Sequence, residues 1–342
     1  MKFKTVSYLV YIALFFIIPH QAYAETFNIN PGESIQDVID SAADGDILEL
    51  SAGTYFGDLD YSGKNITIRG IGRDTVINGT GVGPVVSFQS GEGLSAILDS
   101  LTVTGGNDSG GILIKDSRAN IRRCFVIFNR SEANGSGIYV TGNDPDGNSA
   151  ALFNNVIAFN RLRRRAGGDP HGVFIRDAKP NLTNNTIVRS DSNGIFITGN
   201  SSPTIKNNIL AFNGSRRRNV GRGICVINIP ETESPIITYN LFFRNRRGSV
   251  FFIPSGEDAI NYTNDQIVPF ETTLSDYFTG ESASFTDNIF GNPRFRRLSR
   301  ARNLRLRSNS AAIDAGDPQD LDEDNSIADL GASGGFFPIF NE

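Results

Sequence analysis

The sequence predicts an all-β fold: a single-stranded right-handed parallel β-helix solenoid with an N-terminal capping helix. Two interleaved repeats predict it. In the first, one apolar residue is followed by two variable residues, Asn, one residue and a second apolar residue. Residues 152–157, 182–187, 205–210 and 237–242 place Asn155, Asn185, Asn208 and Asn240 in the fourth position, and residues 121–126 place Cys124 there. Five residues beyond that column the chain turns polar again, at Asn129, Asn160, Ser190, Asn213 and Asn245. The second repeat opens on glycine, at Gly111, Gly137, Gly172, Gly194 and Gly223. Each glycine precedes an alternating apolar run such as Ile112-Leu113-Ile114 or Ile195-Phe196-Ile197. Alternation with period two is the pattern of a strand with one buried face. The runs recur every 22 to 35 residues with Gly, Asn and Ser between them, which suits short strands stacked coil upon coil.

Stacking explains the asparagines. Neighbouring coils lie about 4.8 Å apart, so equivalent residues sit directly above one another. A buried amide is costly without partners. In a file of asparagines each one donates to one neighbour and accepts from the other. The exposed end of such a solenoid also needs a cover. Residues 33–42 supply it, with Ile35, Val38, Ile39 and Ala42 on one helical stripe behind Pro31 and Gly32. Strands are then expected at residues 47–50, 66–68 and 75–77, with turns at Asp44-Gly45-Asp46 and Ala52-Gly53-Thr54-Tyr55.

Residues 1–24 stand apart from the repeat. Lys2 and Lys4 precede an apolar run, and Ala22-Tyr23-Ala24 supplies small residues for cleavage, the layout of a secretory signal peptide. A membrane anchor is the competing reading, but the run is shorter than the roughly 20 residues a span requires, and Pro19 and His20 close it. Residues 25–342 are expected to form one exported β-helix domain. Losing residues 1–24 moves the net charge from −5 to −7, a balance that argues against nucleic acid as a partner. The two cysteines, Cys124 and Cys225, cannot build a disulfide framework and are expected to be reduced and structural.

The order of a helix, the run ADGDILELSAGTYFGDL, the run KNITIRGIGRDTVING and the repeated coils resembles right-handed β-helix repeat proteins of the pectin-lyase-like superfamily. The ending SNSAAIDAGDPQDLDEDNSIADLGASGG (residues 308–335) looks like the tail that closes exported members of that group. The resemblance covers the mature chain and implies the fold. That fold carries lyases, hydrolases, epimerases and non-catalytic modules alike, so activity must be argued from sites. The Gly-His-Gly and Arg-Ile-Lys segments of polygalacturonase-like hydrolases are absent, as are the Trp-x-Asp-His and Arg-x-Pro-x-x-Arg patterns of pectate lyases. Gly168-Asp169-Pro170-His171-Gly172 resembles the Asp-Pro-His-Asp motif of mannuronan epimerases. That likeness implies an active site at Asp169 and His171, with His171 moving a proton beside a sugar carboxylate. Gly172 departs from the motif, and the other reading is a turn begun by Asp-Pro, as at Asp144-Pro145.

Arginines form the broader constellation. Arg161, Arg163, Arg164 and Arg165 follow one polar turn, Arg216, Arg217, Arg218 and Arg222 another, and Arg244, Arg246 and Arg247 flank a third. Equal phase in a solenoid means one edge, so these loops are expected to stack into a basic ridge. Guanidinium forks suit carboxylate, sulfate or phosphate. The chain has no Trp, the foremost platform for neutral sugars, although Tyr139, Phe174 and Phe196 are expected to stack outward. An acidic polysaccharide is therefore the expected ligand, held either by a polyuronate lyase or epimerase or by a non-catalytic surface or envelope-glycan-binding module. Residues 248–293 read as an irregular acidic insert that either folds over the ridge or pairs with Arg294, Arg296 and Arg297. Asp317, Asp320, Asp322, Asp324 and Asp329 alternate in the closing segment (residues 308–342). They read either as a Ca²⁺ loop or as a solvated acidic turn.

Overall fold

The structure, a computed structural model, describes residues 23–132, 135–142, 150–163, 170–215, 220–230, 233, 235–254, 260–262, 285–299, 304–335 and 339. Most of the leader segment, Asp169, Arg164, Arg165 and Arg216 to Arg218 lie outside the described residues.

The chain winds as a right-handed parallel β-helix of three sheets, each with nine described strands. Sheet 1 runs from Thr26–Ile29 to Ile236–Thr238, sheet 2 from Gly53–Phe56 to Ile289–Phe290, and sheet 3 from Leu59–Asp60 to Ile260–Tyr262. Every coil visits them in that order. All pairings within the three sheets are parallel except the last of sheet 3, where Ile260–Tyr262 turns back antiparallel on Val250–Pro254. The period-two runs fold as read. Leu48, Ile68, Leu98, Ile121, Leu152, Leu182, Ile205 and Ile237 stand in one register file on sheet 1, all buried. Each such side chain contributes about 1.5–3 kcal/mol of apolar burial, and stacking makes the core continuous along the axis.

The asparagine file forms as expected. Asn155, Asn185 and Asn208 each donate Nδ2 to the Oδ1 of the next member at 2.9–3.0 Å, and Asn240 does so to Asn288. Each Nδ2 also reaches a carbonyl one coil back, as Asn155 does to Ile121 at 2.8 Å. Cys124 ends the file. Its N–H donates to Asn155 Oδ1 at 3.0 Å and its thiol lies 3.5 Å from the Leu98 carbonyl. Both cysteines are buried and neither is in a disulfide.

Asn288 shows that the described parts of residues 248–293 belong to the coil. Val250–Pro254 adds to sheet 3, and Ile289–Phe290 pairs with Leu241 and Phe242 on sheet 2. The solenoid therefore continues for a further turn beneath what reads in sequence as an insert. Residues 255–259 and 263–284 of that stretch lie outside the described residues.

The cap is shorter than its sequence pattern, an α-helix over Ile35–Ser41 whose N-cap Ser34 accepts the Asp37 N–H at 3.2 Å. Ile35 and Ile39 plug the end of the core. Gln36 exchanges two side-chain hydrogen bonds with the backbone of Asp60, at 3.0 and 3.1 Å, and so occupies the open edge of sheet 3.

The described part of the closing segment lies along the outside of sheet 2. Leu304, Leu306, Ala312, Leu330 and Ala332 are buried against Ile127, Val156, Ala158, Ile209 and Leu241. Three asparagines fasten it, each immediately before a member of the inner file. Asn154 Nδ2 donates to the Gly334 carbonyl, Asn184 Nδ2 to that of Asp329 at 3.0 Å, and Asn207 Nδ2 to Asp320 Oδ2 at 2.9 Å. All three are left-handed, with φ of 53° to 58°. Asparagine tolerates that conformation better than most residues, and it turns the first amide of each Asn-Asn pair outward while the second points in.

Candidate functional site

The corner between sheets 2 and 3 is built from two neighbouring columns. One residue per coil turns the chain there in the left-handed conformation: Phe128, Phe159, Arg189, Phe212 and Arg244, with φ from 49° to 59°. Bulky residues are uncommon in that region, and holding one there costs on the order of 1–3 kcal/mol. At the corner between sheets 1 and 2 the equivalent column is mostly Asn and Asp, which fit with less strain. Here the chain retains three phenylalanines and two arginines. Their side chains form a strip: the Phe128 and Phe159 rings lie 5.3 Å apart, and the Arg189 guanidinium sits 5.9 Å from both Phe159 and Phe212. Phe128 is 52% exposed.

The second column begins one residue past the outer asparagines. Backbone hydrogen bonds place Arg130, Arg161, Asp191, Gly214 and Arg246 one above another. Arg130 and Arg161 are direct register partners in a small two-stranded sheet, both exposed. Like charges facing each other across strands are unfavourable, and no salt bridge joins either one among the described residues. Arg163, two residues on, is already neutralised, with Nη1 2.6 Å from Asp108 and 2.5 Å from Glu132. The arginine ridge read in the sequence is therefore divided. Arg161, Arg246 and Arg247 are exposed at this corner, Asp191 and Gly214 interrupt the file, and Arg163 belongs to an ion-pair cluster.

Arg222 is a correction to that ridge. It is buried, its guanidinium stacks 4.0 Å from the Phe251 ring centre, and Nη1 donates to the Arg247 carbonyl at 2.8 Å. Burial, and then the nearby charge of Arg247, holds its pKa below the usual guanidinium range against the opposing pull of Cys225.

His171 is a second correction. The ring is 3% exposed and stacks on Phe196 at 4.4 Å and Phe174 at 5.5 Å, so it joins the outward aromatic column of sheet 3. Asn193 Oδ1 accepts the Arg222 N–H at 2.8 Å, which turns Asn193 Nδ2 toward His171 Nδ1 at 3.3 Å. Nδ1 is thereby placed to accept the Asn193 amide N–H. The imidazole of the Asp-Pro-His segment is thus packed into the wall of the coil, and its partner in the likeness, Asp169, lies outside the described residues.

The five tail carboxylates do not converge. Asp317 and Asp320 both meet Lys206, at 2.6 and 3.1 Å. Asp322 accepts the N–H groups of Asp329 and Gly335, Asp324 that of Ser326, and Asp329 that of Asp314. Burial, with repulsion from Asp322 and Asp314, raises the Asp329 pKa to about 6 against its hydrogen bond from Asp314. Among the described residues no group of three or more His, Cys, Asp or Glu side chains is placed to hold a metal ion, so the Ca²⁺ reading finds no cluster. Backbone N–H groups and one lysine take up the charge instead.

Phe128, Phe159, Phe212, Arg130 and Arg189 were not singled out from the sequence. One signal was available: each left-handed residue directly precedes a member of the outer polar column.

The family model described as right handed beta helix region matches residues 86–290. Among solved structures, the crystal structure of pectate lyase Pel9A is similar at 15% identity over 91% of this chain and 96% of that one, with a TM-score of 0.35. The crystal structure of alginate lyase from Paenibacillus sp. str. FPU-7 is similar at 15% identity, over 64% of this chain and 91% of that one, with a TM-score of 0.31. ORF18 of Geobacillus virus E2 is similar at 13% identity, over 68% and 62% of the two chains, with a TM-score of 0.30. No curated protein matches the chain in sequence.

Proposed function

Because the chain belongs to the right-handed β-helix family, we propose that it is an exported solenoid that holds an acidic polysaccharide along the corner between sheets 2 and 3. The observation that carries this reading is the pairing of two columns on an otherwise acidic chain. Strained phenylalanines and arginines form one, and the unneutralised partners Arg130 and Arg161 begin the other. A linear ligand laid along the axis meets a ring or a guanidinium at every coil, about 4.8 Å apart. Guanidinium forks take carboxylates, and phenylalanine faces take the apolar faces of sugar rings.

Export rests on the leader pattern of residues 1–24. No helix among the described residues is long and apolar enough to cross a membrane. Binding without turnover is favoured over lyase or epimerase action because His171 is buried and its Nδ1 is engaged by Asn193. On this reading the protein is a non-catalytic surface or envelope-glycan-binding module.

Affinity electrophoresis against polygalacturonate, alginate and dextran tests the proposal. Retardation is expected in the two polyuronates and not in dextran, weakening with salt. Phe128→Ala and the double variant Arg130→Glu/Arg161→Glu should each reduce it. Unchanged retardation in both variants rejects the corner, and rising absorbance from unsaturated products identifies a lyase instead.

A further inference from the structure

The first strand of sheet 1, Thr26–Ile29, begins one residue after Glu25, whose backbone is held on both sides. The Glu25 carbonyl accepts the Ile47 N–H at 2.8 Å, and the Glu25 N–H donates to Asp46 Oδ1 at 2.8 Å. Register explains the second contact. Thr26 pairs with Ile47, so the residues before them, Glu25 and Asp46, also stand side by side. The turn holds Asp46 independently of Glu25. Gly45 donates its N–H to the Asn65 carbonyl at 2.9 Å, Asp46 donates its own to Ala43 at 3.1 Å, and the Asp46 carbonyl accepts the Thr67 N–H at 2.9 Å.

Asp46 is only 5% exposed. Its second oxygen accepts the Ala43 N–H at 2.8 Å, so both partners of the carboxylate are neutral backbone amides. Lys64, the cation at this end of the helix, gives its Nζ to the carbonyls of Asp40 and Ala42 at 2.7 and 2.6 Å. Asp44, two residues away, adds a second carboxylate and takes the Asn65 N–H at 2.8 Å. Among the described residues no basic side chain forms a salt bridge with Asp46. A buried charge with no countercharge is expensive. Tyr23 and Ala24, on the far side of the Glu25 nitrogen, are exposed, so removing them uncovers no core.

We propose that Asp46 is the binding site of the mature N-terminus: cleavage after Ala24 turns the Glu25 nitrogen into an ammonium, which pairs with the Asp46 carboxylate. The inference rests on the leader reading of residues 1–24. In the cleavage a leader peptidase adds water across the Ala24–Glu25 bond. The new carboxylate leaves on Ala24, and the Glu25 nitrogen is released as an amine. That amine takes up a proton at neutral pH, since α-amino groups titrate near about pH 8. The nitrogen need not move, because 2.8 Å is already the length of a charge-assisted hydrogen bond. Loss of the leader thus supplies the missing countercharge and tightens the first coil.

Hydrogen exchange at Ile47, whose N–H binds the Glu25 carbonyl, tests the site. Three forms of residues 25–342 are compared at about pH 6.5, where an α-amino group is protonated. One is released from a fusion to begin at Glu25, one is the same chain α-acetylated, and one carries Ala-Ala ahead of Glu25. Exchange is expected to be about tenfold slower in the first than in the other two. Asp46→Asn should remove the difference. The acetylated and extended chains keep every residue of the fold, so they decide even where Asp46→Asn unfolds. Equal exchange in the three parent forms overturns the proposal, as does a difference that persists in Asp46→Asn. N-terminal sequencing of the exported protein tests the leader separately. Glu25 is expected first, and any other first residue overturns the cleavage even where Asp46 behaves as described.

Discussion

Asn207 and Asn208 are adjacent in the chain and serve opposite sides of the wall. Asn208 Nδ2 reaches inward to Asn240 Oδ1 at 2.9 Å, while Asn207 Nδ2 reaches outward to Asp320 Oδ2 at the same distance. The left-handed φ of 58° at Asn207 separates them. One amide ties coil to coil, and its neighbour ties the coils to the tail.

Their substitutions should therefore have different effects. Asn208→Ala leaves the buried amide of Asn185 without its acceptor and is expected to cost about 2–3 kcal/mol, read as a lower urea midpoint. Asn207→Ala should cost less globally but expose the tail, seen as faster limited proteolysis within residues 304–335. If both variants lose the same stability with the tail still protected, the division of labour is wrong.

Tail attachment should depend on pH. The folded-state pKa of Asp329 is raised to about 6 from the ordinary 3.8, so the folded protein holds this proton more tightly than the unfolded chain. Attachment is then strongest when Asp329 is protonated, and it weakens as pH rises from about 4 through 6. Asp322, also raised by burial, acts in the same sense. Hydrogen exchange at Leu330 and Gly331, whose N–H groups bind Ala312 and Asn207, should accelerate across that window beyond its intrinsic pH dependence. Asp329→Asn should flatten this extra slope; an unchanged slope removes Asp329 as its source.

Asp99 should behave in the opposite sense. Burial pushes its pKa up, but hydrogen bonds from Arg123 and Ser100 and the charges of Arg123 and Arg122 outweigh burial and leave it lowered. Its contribution is present above the ordinary carboxylate pKa and lost as pH falls through the lower folded value. Asp99→Ala strands buried-side guanidiniums and is expected to cost about 3–5 kcal/mol at neutral pH. A thermal melt within two degrees of the parent, about 1.3 kcal/mol or less for a chain of this length, would contradict this.

The Cys124 thiol should be inert in the native protein. Burial pushes its pKa up to about 12, so at pH 8 essentially no thiolate is present. Reaction with a thiol reagent is expected only after unfolding. Cys124→Asn should be accepted, because it extends the file formed by Asn155, whereas Cys124→Ser should be tolerated less well for want of reach. Rapid native labelling at Cys124 would show that the coil opens locally.

Most of the fold is legible because a solenoid writes one structural position into sequence many times. Asn155, Asn185, Asn208 and Asn240 share a phase, and that phase is the register found in space. Asn288 escaped because the 48 residues separating it from Asn240 break the period, so the coil continues where the sequence reads as an insert. Asn154, Asn184 and Asn207 looked like variable positions. Their partners lie 113 to 180 residues away, and no local pattern announces so distant a contact. The arginine edge was legible only as a phase. Burial of Arg222 against Phe251 and neutralisation of Arg163 by Asp108 and Glu132 depend on side-chain packing, which equal phase does not encode.

The path of the tail also sets an order of assembly. Rung-to-rung contacts join residues a few tens of positions apart, so coils can wind as soon as each length of chain is available. The bond from Asn154 to Gly334 closes a span of 180 residues and has to wait until residue 334 is made. Until then the outer surface of sheet 2, with Val156, Ile209 and Leu241, is bare hydrocarbon. A newborn chain is thus most prone to self-association before residues 304–335 are made, and that stretch then acts as an intramolecular chaperone for coils made long before.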